Sequence, residues 1–69
     1  MRKLILRGEY ITLGQLLKAE GFAESGAEAR ERIMAGEAKV NGEVETRRGR
    51  KLYDGDTVEI DGEITGVIR

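Results

Sequence analysis

The spacing of apolar positions changes partway along the chain, and each spacing predicts a different element. Lys3–Ile11, with Leu4-Ile5-Leu6 near its start, reads as an extended segment. Leu13, Leu16 and Leu17 then fall at the three-and-four spacing of a single helix face. Ahead of them, Thr12-Leu13-Gly14-Gln15 has the form of a capping box, in which the Thr12 hydroxyl accepts the Gln15 N–H and the Gln15 side chain reaches back. Ile11 and Leu16 are placed as a hydrophobic staple, and Gly21 is a natural stop. A helix over roughly Leu13 to Glu20 follows. Ser25-Gly26-Ala27-Glu28 repeats the capping-box spacing, Ala29 and Ile33 give the apolar stripe, and Gly36 ends the second helix. So short a connection folds the pair into an αα-hairpin.

Beyond Gly36 the period becomes two. Ala38-Lys39-Val40 and Val58-Glu59-Ile60 alternate as half-buried strands do, and Asn41-Gly42, Asp54-Gly55-Asp56 and Asp61-Gly62 are turn signals. A two-residue turn at Asn41-Gly42 puts Val40 and Glu43 on the same sheet face, so the turn is predicted and its register left open. Glu63–Arg69 has only a weak strand pattern, and both termini are expected to be more mobile than the middle. The expected fold is α+β, an αα-hairpin packed on a small antiparallel β-sheet, in one domain over residues 1–69.

Composition removes most catalytic chemistry. Leu, Ile, Val and Phe make up 17 of 69 residues, enough for a folded core, although a chain of this size is marginally stable. With no Cys and no His, disulfides, zinc ribbons, thiol nucleophiles and imidazole bases are excluded. The single Ser has no His to activate it. The reading is a non-enzyme that needs no metal and no cofactor and takes no small-molecule substrate. No run approaches the length of a membrane span, and Leu4-Ile5-Leu6 is too short for a signal-peptide core. A soluble cytoplasmic protein with no membrane partner is the expectation.

Charge is where the sequence is most informative. The net charge is −1, yet Arg47-Arg48-Gly49-Arg50-Lys51 holds four cations and no anion, while the other 64 residues carry eight basic and 13 acidic groups. Such a cluster suits phosphates, which gain from Coulomb attraction and from counterion release, and Gly49 lets the backbone bend so that the cations can splay; the alternative is a solvated loop. Arg30 lies one turn after Gly26, with no acidic residue three or four positions away. Gly26 leaves the first turn of its helix open to close approach by an anion. Arg32 has Glu28 four residues earlier and is expected to pair with it, a structural role. Lys18 and Lys39, taken singly, read as solvated. Phe22 and Tyr53 are too few for a stacking platform and read as core or rim.

In order and spacing these features resemble the alpha-L RNA-binding fold, the S-four domain named after a small-subunit ribosomal protein. The resemblance rests on Leu13 with Leu16-Leu17, Ser25 with Ala29-Arg30 and Ile33, Gly36, Val40-Asn41-Gly42, Arg47–Lys51, and Gly55-Asp56 with Val58 and Ile60. It covers about Leu13 to Ile60 and is nearest to the short stand-alone bacterial members of the family. It implies binding of structured RNA by the αα-hairpin and the loop that follows. By position it assigns RNA contacts to Ser25, Arg30, Lys39, Asn41 and, in the loop, Arg47, Arg48, Arg50 and Lys51, with Ser25 and Asn41 serving the cap and the turn as well; Gly26 joins them through the open first turn of its helix. The chain departs from the family at Gly26, where many members carry a basic residue, and at Thr12-Leu13-Gly14, where many have Arg-Leu-Asp. The basic loop is the candidate to compensate.

The function expected is therefore non-catalytic binding of structured RNA through a helix N-terminus and a basic loop. Ribosomal RNA or the ribosome is the partner suggested by the family. The rival from another class is a protein–protein adaptor using the acidic and basic patches. Duplex DNA is disfavoured, because the helices are short and only Arg30 and Arg32 are basic on the second.

Overall fold

The computed structural model describes residues Met1–Arg69. In chain order the elements are β1 (Arg2–Ile5), β2 (Ile11–Thr12), α1 (Leu13–Ala19), α2 (Gly26–Met34), β3 (Lys39–Val40), β4 (Glu43–Val44), β5 (Lys51–Leu52), β6 (Thr57–Ile60) and β7 (Glu63–Ile68). A five-stranded sheet runs β1-β7-β6-β3-β4, and β2 pairs with β5 in a separate two-stranded ribbon.

Local chemistry accounts for both helices. At α1 the capping box forms in both directions: the Gln15 N–H donates to Thr12 Oγ1 at 3.3 Å and the Thr12 N–H donates to Gln15 Oε1 at 2.9 Å. At α2 only half of it forms, with the Glu28 N–H donating to Ser25 Oγ at 3.1 Å and no return bond from the Glu28 side chain. The helices end alike. Gly21 and Gly36 both take a φ of +81°. Each donates to a carbonyl three residues back (Lys18, Ile33), and the residue after each donates to one five residues back (Leu17, Arg32). These are the paired bonds of a Schellman ending, which only a residue at ease with positive φ closes cheaply.

One face of the large sheet carries the core. Val40, Val58, Ile60 and Val67 pack with Leu13, Leu16, Leu17, Ala29 and Ile33 in a single cluster, which Leu52 joins from the ribbon. The alternation read at Ala38-Lys39-Val40 is present: Ala38 and Val40 are buried and Lys39 is exposed on the other face.

The α+β class stands, with two corrections. First, the sheet is mixed. β7 pairs antiparallel with β6 and parallel with β1, from Arg2 opposite Thr65 to Ile5 opposite Ile68. Second, the C-terminal segment is the longest strand and lies between two others, with Thr65 and Val67 inward. Its pattern is weak because Gly66 separates those two residues and a threonine takes one inward place. The Asn41-Gly42 register also resolves. Val40 and Glu43 are direct partners, and both turn residues have positive φ, as a primed two-residue hairpin requires. β4 is the sheet edge, so Glu43 shares a face with Val40 yet stays in solvent.

Candidate nucleic-acid interface

The basic loop is pinned at its backbone and at a buried carboxylate. Leu13 donates its N–H to the Arg50 carbonyl and Gly14 to the Arg48 carbonyl, each at 2.9 Å, so the first turn of α1 holds the loop by its main chain. A Cβ on Gly14 would lie 3.4 Å from the Arg48 carbonyl oxygen and 3.6 Å from the Arg48 Cβ, so helix and loop already run side by side at contact distance. These bonds also consume the N–H groups at the start of α1, which leaves α2 as the helix with an open first turn.

Glu45 is the second anchor, and it escapes sequence reasoning. Its residue is 8% exposed. The carboxylate accepts from Arg47 Nε at 3.0 Å, from Arg47 Nη2 at 3.1 Å and from Arg50 Nη1 at 2.8 Å. It also accepts the backbone N–H groups of Thr46 and Arg47, each at 3.1 Å. Hydrogen bonds from Arg47 first, and Arg50 next, outweigh the cost of burial and pull its pKa from 4.5 down to about 2. The same pairing raises the pKa of Arg47. Two of the four loop cations are therefore partly neutralised, while Arg48 and Lys51 make no ion pair.

A shallow cleft of about 390 Å³ opens beside this loop. Thr12 lines it from the end of β2, Gly14, Gln15 and Lys18 from α1, Gly26 and Ala29 from α2, and Arg48 and Gly49 from the loop. Lys18, read from sequence as merely solvated, thus faces the same space as Arg48. The N–H groups of Gly26 and Ala27 have no partner within the chain, since the Ser25 hydroxyl serves Glu28 and the Ser25 carbonyl serves Ala29. Free N–H groups at a helix start, with cations opposite, form a favourable setting for an anion.

The other expected residues divide. Arg30 is exposed, makes no ion pair, and lies one turn beyond Gly26 beside a dent formed with Ala27, Glu31 and Met34. Lys39 is on the outer sheet face opposite Val44 and Glu59, away from the cleft. Asn41 is occupied: its amide donates to Asp56 Oδ1 at 3.0 Å, and its carbonyl oxygen accepts the Thr57 N–H at 2.9 Å. Arg32 is structural, but through other partners than Glu28. It donates to Glu37, to Asp61 and to the Phe22 carbonyl, which ties the end of α2 to the β6–β7 turn. Asp61 first, then Glu37, raises the Arg32 pKa, and Asp61 is lowered in return.

The cleft and its loop lie in a chain with clear relatives. The family model described as "S4 domain" matches residues 4–68. The probable ribosome maturation protein RlbA of Bacillus subtilis is 52% identical over 54 residues, 78% of this chain and 76% of that protein. The putative RNA-binding protein YbcJ of Escherichia coli is 44% identical over 59 residues, 86% of this chain and 84% of that protein. The solution structure of the Escherichia coli YbcJ, described as revealing an alpha-L motif involved in RNA binding, superposes with a TM-score of 0.74 at 40% identity, covering all of this chain and 89% of that one. With the matched family spanning nearly every element from β1 to β7, the chain belongs to the S4 domain family.

Proposed function

We infer that this protein binds structured RNA through the cleft between α1, α2 and the Arg47–Lys51 loop, and that it does so without catalysing a reaction. The observation that carries the reading is the convergence of Lys18, Arg48 and the open first turn of α2 on one concave surface. The fixed main chain of the loop supports it, since cations on a held backbone lose less freedom on binding. Phosphates fit such a surface, and phosphate contacts position a protein without reading bases. Recognition then follows RNA shape, as at a bulge or a junction. The names of the relatives point the same way, and that of RlbA favours ribosomal RNA or a ribosomal precursor as the partner in the cytoplasm.

The cleft residues carry the contacts in this reading, with Arg30 at the margin and Arg47 and Arg50 contributing through the charge that Glu45 leaves them. Lys39 lies outside the footprint, and Ser25 and Asn41 act through the cap and the turn. Amide chemical-shift mapping with a folded RNA hairpin tests this. Shifts should concentrate at Gly14, Lys18, Gly26, Arg48 and Gly49 and spare Lys39, Val44 and Glu59. Shifts confined to the outer sheet face would reject the cleft as the RNA site, and no shifts at all would reject RNA binding and favour an adaptor role.

A further inference from the structure

We propose that Tyr10 and Tyr53 form a stacking site for an unpaired RNA base beside the phosphate cleft, an inference that rests on the RNA-binding reading above. The two residues lie 43 positions apart, yet their ring centroids are 6.0 Å apart at an interplanar angle of 51°. The β2–β5 ribbon brings them together. Ile11 pairs with Leu52 and Thr12 with Lys51, so the next step of the same ladder sets Tyr10 opposite Tyr53. Leu52 is fully buried, and alternation therefore turns Lys51 and the two tyrosines outward on the opposite face of the ribbon.

Nothing in the fold uses these rings up. Tyr10 is 45% exposed and Tyr53 48%, and neither hydroxyl has a hydrogen-bond partner in the chain. The Lys51 ammonium stands 4.9 Å from the Tyr10 ring centroid, which holds that ring in place and puts a cation at the edge of the pair. Thr12, which faces Lys51 across the ribbon, also lines the phosphate cleft. Tyrosines and cleft are thus about two strand residues apart, roughly 7 Å, a separation one nucleotide can bridge between base and phosphate. An aromatic surface adjoined by unpaired cations suits a base attached to a phosphate better than it suits an apolar protein segment. A base on the open face of Tyr53, with its phosphate at Lys51 and Arg48, would select RNA having an unpaired nucleotide next to a helix.

The chain has two tyrosines and no tryptophan, so its intrinsic emission reports on this site alone. Two labelled RNA hairpins, one fully paired and one with a single bulged adenosine, would be titrated into the wild type, Tyr53→Leu and Tyr53→Phe. The expected result is quenching of tyrosine emission by the bulged hairpin, with that hairpin bound more tightly. Tyr53→Leu should lose about 5- to 100-fold in affinity for it, Tyr53→Phe should retain the affinity, and all three should bind the paired hairpin equally. Equal binding of both hairpins by wild type and Tyr53→Leu overturns the stacking site and leaves the phosphate cleft standing. Failure of the wild type to bind either hairpin overturns both.

Discussion

Replacing Glu45 by Gln probes the part of the site that sequence reasoning did not find. The change keeps shape and removes the charge that holds Arg47 and Arg50. The fall of the Glu45 pKa from 4.5 to about 2 corresponds to about 3 kcal/mol at 1.36 kcal/mol per unit. Much of that is screened, because the Arg47 side chain is 73% exposed, and discounting leaves about 1–2 kcal/mol. For a domain of this size the loss should lower Tm by about 5–15 °C. The sign of the pH dependence follows from the depressed pKa. The contribution is complete above about pH 4.5 and disappears as pH falls toward 2, where the folded-state carboxylate takes up its proton. Urea unfolding followed by circular dichroism from pH 7 to pH 2 should therefore show the wild type losing about 1–2 kcal/mol more than the variant across that window. Amide exchange supplies a local readout: Leu13 and Gly14, bonded to the loop carbonyls, should exchange faster in the variant, while Leu17 should not. Equal stability with parallel pH curves would refute the anchoring role of Glu45.

Other substitutions separate the supports of the fold. Ser25→Ala removes the α2 cap and should cost about 1 kcal/mol in chemical denaturation, whereas an unchanged midpoint would mean the cap contributes nothing. Gly36→Ala should cost about 1–2 kcal/mol because its φ is +81°, while Gly26→Ala, with open space around it, should leave the melting temperature equal or higher. Arg32→Ala should destabilise by about 1–2 kcal/mol by leaving Asp61 and the Phe22 carbonyl without their donor; a thermal melt at neutral pH reads it. Gly14→Val should break the bond to the Arg48 carbonyl and weaken RNA binding more than stability, read by comparing anisotropy titrations with melting curves.

The parts of the fold written in short-range chemistry were legible. Thr12 and Gln15 specify a cap within four residues, Gly21 and Gly36 mark endings because the backbone there needs positive φ, and Asn41-Gly42 and Asp61-Gly62 close two-residue hairpins. What escaped were pairings between distant segments. The parallel β1–β7 pair joins the two ends of the chain, and no local signal in Leu4-Ile5-Leu6 names its partner. Arg32 had a helical neighbour at the right spacing in Glu28, but Glu37 and Asp61 are reached only once the helix ending and the β6–β7 turn are in place. Glu45 lies outside the five-residue basic run, so counting charge within that run hid the carboxylate that organises it. Tyr10 and Tyr53 meet only through the ribbon. Lys18 shows the same limitation: a single helical lysine looks solvated until the loop folds back over its helix.

The central claim, that free cations beside this cleft hold the phosphates of folded RNA, meets its most direct test in a salt titration. Binding to folded ribosomal RNA fragments would be measured for the wild type and for the Arg48→Ala, Lys51→Ala double variant, with duplex DNA of equal length as competitor. RNA should outcompete DNA, log affinity should fall linearly with log salt, and the variant's slope should be shallower by about 1.5–2 units for two lost phosphate contacts. Identical slopes for the two proteins, or no RNA binding even at low salt, would contradict that claim.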